Sequence, residues 1–110
     1  MAITINEKSM AISEAKNLAR QSVRAFVSSP SDQLAQLRAN QVITFYADRL
    51  SESERHRRDF ILKITCSRSP CLTEGGQVFA TIEVTLKGED KNSINSTVTA
   101  QASEFVDLWR

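Results

Sequence analysis

"SESERHRRDFILKITC", residues 51–66, is the stretch where the chain changes its period. Upstream of it apolar residues recur every three or four positions, the spacing of one face of an α-helix. From Phe60 onward Phe60, Leu62, Ile64 and Cys66 alternate with Ile61, Lys63 and Thr65, the spacing of a half-buried β-strand. The charged half of the stretch, read as a helix end, sets Glu52 against His56, Glu54 against Arg58 and Arg55 against Asp59, each four residues apart and opposite in charge once His56 is protonated. Arg55, Arg57 and Arg58 then lie near the carbonyl end of the helix, where cations are favoured. The stretch therefore predicts a boundary, with helices before it and strands after it.

Working upstream, Ile12, Ala15, Ala19, Val23 and Phe26 predict a first helix over 6–28, capped by Asn6 or by Thr4 with Glu7. Ser29, Pro30 and Asp32 read as N-cap, first helical position and first-turn acid of a second helix. Its apolar residues Leu34, Ala35, Ala39, Val42, Ile43, Phe45, Tyr46 and Leu50 cover about half the helix circumference, which predicts packing on two sides, against the first helix and a sheet. "QVITFY" at 41–46 is rich in strand formers, but no turn signal flanks it, so it stays within the helix.

Downstream, "EGG" at 74–76 marks a hairpin loop, "QVFATIEVTLK" at 77–87 alternates as a second strand, and "GEDKNS" at 88–93 is a turn. "INSTVTAQA" at 94–102 predicts a third strand and "SEFVDLWR" at 103–110 a short C-terminal helix. The expected fold is a single α+β domain over residues 1–110, order ααβββα, with two N-terminal helices packed on one face of a three-stranded antiparallel meander.

Composition narrows the function classes. Hydrophobic residues are 41% and charged residues 25% of 110, with three Gly and two Pro, the usage of a chain that folds around one core. The net charge of +1 divides into nine basic against six acidic residues over 1–58 (+3) and five against seven over 59–110 (−2). That asymmetry is small for a protein that coats nucleic acid. The N-terminal "MAITINEKSMAI" lacks the pattern of a signal peptide and no apolar run is long enough for a membrane helix, so a cytoplasmic protein that binds no membrane is expected. In that compartment Cys66 and Cys71 would be reduced thiols, Cys66 in the core and Cys71 in a loop, and the "NST" sequon at 95–97 would go unused.

Enzymatic and metal chemistry find little here. One His and two Cys fall short of a zinc ligand set, and no cofactor is expected, since no glycine-rich phosphate loop is present. "HRRD" at 56–59 lacks the phosphate loop and metal-binding partner that a kinase needs. "CSRSPC" at 66–71 is not a redox CxxC, and nothing supplies an orienting group or oxyanion hole for a Cys/His pair.

Two readings from different classes follow. The first is a non-enzymatic protein–protein interaction module, a small homo-oligomeric adaptor or inhibitor acting by surface binding, of a size that suits a phage or other mobile element. It rests on the wide apolar face of the second helix and on Phe105, Leu108 and Trp109 as apolar anchors near the C-terminus. Its partner would be another protein or a second copy. The second is a nucleic-acid-binding protein using a basic stripe on the first helix, Lys16, Arg20 and Arg24 at i, i+4 and i+8, joined by Arg55, Arg57 and Arg58.

Overall fold

The computed structural model describes residues 5–87 and 96–106, and the side chains of these except residues 5–9, 53 and 54. Helix α1 runs Ile5–Val27, α2 Asp32–Arg49 and a short α3 Glu52–Arg57, followed by strands β1 (Arg58–Cys66), β2 (Gln77–Leu86) and β3 (Ser96–Phe105). The sheet order is β1-β2-β3, antiparallel throughout, so the α+β class and the meander stand as expected.

Alternation explains the sheet. Val78, Ala80, Ile82, Val84 and Leu86 of β2 are all buried under the helices, flanked in register by Phe60, Leu62 and Ile64 on β1 and by Val98, Ala100 and Ala102 on β3. The opposite face is polar and bonds to itself: Thr85 Oγ1 lies 3.2 Å from Thr97 Oγ1, Gln101 Nε2 donates to Thr81 Oγ1 at 3.2 Å, and Lys87 pairs with Asp59 at 3.1 Å. Ile61 and Phe105, 48% and 67% exposed, stand among these polar groups.

Small residues set how the layers meet. Ala11, Ala15 and Ala19 of α1 are fully buried and pack in one cluster with Ile82, Val84 and Ala100, which lets α1 lie close over β2 and β3. Ala35 and Ala39 of α2 do the same in a second cluster with Val23, Phe26, Val78 and Val106. α2 leans mainly on α1 and meets β1 through contacts such as Tyr46 edge-on to Phe60, ring centroids 5.7 Å apart. The second side expected for α2 is therefore only partly covered, and Leu37 and Phe45 stay 53% and 58% exposed.

Several local expectations are corrected. The N-cap of α2 is Ser31, whose Oγ accepts from Leu34 N, while Ser29 is buried and donates its hydroxyl to Ala25 O at 2.7 Å, finishing α1 instead. α1 already includes Asn6, so Asn6 is not its cap, and Thr4 lies outside the described residues. The charged stretch is not the end of α2: Leu50 caps that helix in an extended conformation, α3 intervenes, and the strand begins at Arg58. Asp59 consequently pairs across the sheet with Lys87 rather than with Arg55.

The expected C-terminal helix gives way at Ser103–Phe105, which extend β3. β2 reaches back to Gln77, opposite Phe105, and Val106 N donates to Gly76 O at 2.8 Å. A helix starting at Ser103 would strand those β2 groups without partners. Leu108 and Trp109 lie outside the described residues, as do residues 88–93 of the expected turn.

The largest correction concerns the cysteines. Cys66 ends β1 and the loop returns Cys71 to within 5.2 Å, Cα to Cα, and the two form a disulfide rather than free thiols. Asp32 ties the same loop to the start of α2, accepting from Cys71 N at 3.0 Å and Leu72 N at 3.2 Å. Gly75, with φ of 76°, makes the turn into β2 that a side chain would strain.

Candidate functional site

Among the described residues, an outer groove opens between α1 and α2 above the three-stranded sheet. α1 contributes Met10, Ser13, Asn17 and Gln21 at three- and four-residue spacing, a row adjoining the face that packs on the sheet. α2 contributes Val42, Phe45, Tyr46 and Arg49, with Leu50 beyond its end. Two adjoining clefts form the groove, of 690 Å³ toward the start of β1 and 340 Å³ farther along, with Asn17 and Tyr46 bordering both.

A buried polar trio closes the wider end. Arg58, 13% exposed, sets Nη1 2.8 Å from Oε2 of Glu14, itself 15% exposed, and Tyr46 donates its hydroxyl to the same oxygen. One carboxylate thus joins α1, α2 and β1. Farther along, Gln21 Nε2 donates to Asn17 Oδ1 at 3.2 Å. The groove is apolar at Met10, Val42, Phe45 and Leu50, and its polar lining is largely paired within itself.

The six cations singled out from sequence do not form one patch. Arg58 is spent on Glu14, Arg55 is exposed and donates to Asp48 O at 3.2 Å, and Arg57 is half-buried at the end of α3. Lys16, Arg20 and Arg24 do share an exposed stripe of α1, but Arg24 lies ten residues beyond Glu14, about 15 Å along the helix. There it meets Glu104 of β3 at 3.6 Å. Of the apolar anchors Phe105 is described, 67% exposed on the polar face of the sheet.

Sequence reasoning missed Met10, Glu14, Asn17, Tyr46 and Arg49 as neighbours. The available signal was the row Arg38, Val42, Phe45, Arg49 at i, i+4, i+7 and i+11, an apolar strip bracketed by cations. Among the described residues no three His, Cys, Asp or Glu side chains gather as a metal site would require, and no helix is long and apolar enough to cross a membrane. No protein family, curated protein or solved structure compared with the chain matches it.

Proposed function

We propose that the chain is a non-enzymatic protein-interaction module, a small adaptor or inhibitor that acts by surface binding. The observation that carries this reading is the α1–α2 groove, which leaves Met10 61% exposed beside its 690 Å³ cleft and Phe45 58% exposed beside the adjoining one of 340 Å³. Large apolar side chains around a concave surface are the usual makings of a docking site. The shape agrees: a radius of gyration of 15.5 Å, against about 13 Å for a compact chain of this length, spreads the two layers into an elongated body with much surface for its mass.

The test is stoichiometric. Light scattering across a hundredfold concentration range, with affinity capture and identification of what is retained, is expected to find either a self-associated chain or a partner in fixed ratio, lost in Phe45→Ser. A strict monomer that holds nothing in fixed ratio refutes the reading.

A specific observation favours nucleic-acid binding as a second reading: Lys16 and Arg20 have no ion-pair partner among the described residues. Electrophoretic shift of duplex and single-stranded RNA and DNA at 50 and 300 mM salt decides it, and absence of binding at the lower salt removes it.

Against the reducing cytoplasm expected from the sequence, the disulfide favours an oxidising compartment. Thiol titration of protein trapped from its source cells without reductant distinguishes them.

A further inference from the structure

Resting on the reading of the α1–α2 groove as a protein-binding surface, we propose its occupant: an amphipathic helical segment of a partner protein, apolar along one stripe and acidic along its flanks. From Met10 to Gln21 the groove follows α1 for eleven residues, about 16 Å, the length of three helical turns. Val42, Phe45, Leu50 and Met10 supply the apolar contacts that a guest stripe of the i, i+4, i+7 kind needs.

Charge selects the flanks. Arg49 lines the groove and Arg38 precedes Val42 by four residues on the same row of α2, whereas Arg24 turns away from α2 to Glu104 of β3. Arg38 and Arg49 have no ion-pair partner among the described residues. Among the described side chains, the acids of the same two helices are otherwise engaged except Asp48: Glu14 holds Arg58 and Tyr46, and Asp32 holds the amides of Cys71 and Leu72. A groove with apolar walls at Met10, Val42, Phe45 and Leu50 and two arginines along its α2 edge, Arg38 and Arg49, matches an acid-flanked guest, because a neutral or basic one would desolvate these guanidinium groups without compensation.

The same asymmetry argues against the other occupants. A second copy presenting its own helical layer would set arginine against arginine. A nucleic acid would meet the arginines but offer no apolar stripe to Met10, Val42, Phe45 and Leu50.

The experiment uses the full chain and two lactam-bridged helical 15-residue peptides with the same leucine stripe, one flanked by glutamate and one by lysine, plus a 20-base-pair duplex. Anisotropy titrations at 50 and 300 mM NaCl give affinities, and amide shift maps give the surface. The glutamate peptide is expected to bind about tenfold or more tightly than the lysine peptide, with the difference shrinking at high salt. Shifts are expected at Asn17, Gln21, Phe45 and Arg49. Phe45→Ser and the pair Arg38→Glu/Arg49→Glu should each weaken binding roughly tenfold, whereas Leu37→Ser, exposed on the outward side of α2, should leave it unchanged. All these side chains are exposed, so unaltered melting curves show that the variants fold.

Equal affinity for the two peptides, shifts elsewhere, or tighter binding of the duplex at the same residues overturns the proposal. If neither peptide binds but a stoichiometric complex persists in Phe45→Ser, the groove assignment fails while the interaction module stands. A monomer without any partner refutes both.

Discussion

Glu14→Leu is predicted to destabilise the protein by about 2–3 kcal/mol, and adding Arg58→Met is predicted to restore most of that loss. The carboxylate accepts from Arg58 at 2.8 Å and from the Tyr46 hydroxyl, and the two ionic side chains are 15% and 13% exposed. Removing one member of a buried ion pair typically costs about 3–5 kcal/mol, because the remaining charge stays desolvated; an open cleft beside the pair admits water and places the cost at the low end. For 110 residues the unfolding entropy is roughly 230 cal/mol/K, so the single variant should melt about 10 °C lower. The double variant puts two apolar side chains of similar volume together, which is often nearly neutral, within about 1 kcal/mol of the native chain. Urea denaturation followed by far-UV circular dichroism on wild type, both singles and the double closes the cycle. Contacts that either side chain makes elsewhere cancel in it if they are independent. Singles within about 0.5 kcal/mol of wild type, or a double equal to the sum of the singles, would refute the claim that these residues act as one unit.

Ser22 is fully buried in α1 and its hydroxyl has no hydrogen-bond partner among the described residues, so Ser22→Ala should raise stability by about 1 kcal/mol through relief of desolvation and better helix propensity; a lower melting temperature would contradict this. Asp32→Ala removes the acceptor of two loop amides and should cost about 1–3 kcal/mol, with faster hydrogen exchange at Cys71 and Leu72 than elsewhere. Thiol titration of unreduced protein should find no free cysteine, and reduction should cost about 2 kcal/mol, the closure entropy of a six-residue ring; two titratable thiols before reduction would show that the bridge does not form.

What could be read from the sequence follows from which interactions are local. The change of period at Phe60 located the sheet to within two residues, since alternation between a buried and a solvated face is written into consecutive side chains. The ends of elements were less legible because distant partners decide them. Ser103–Phe105 has the composition of a helix start, yet β2 offers backbone groups from Gln77 onward that only a longer β3 can satisfy. Likewise nothing local marks Glu14, one residue off the apolar row, as half of an ion pair; its partner Arg58 lies 44 positions away, where α3 passes directly into β1. The apolar breadth of α2 was visible, but its consequence was not. A sheet of three strands is too narrow to cover both helices fully, so α1 takes β2 and β3, α2 is left leaning on α1 and the edge strand, and the excess apolar surface emerges at Leu37 and Phe45. The groove is thus a product of strand number rather than of any motif. A fourth strand beside β1 would extend the floor beneath α2 but would not cover Phe45, which lies in the cleft that α2 forms with α1.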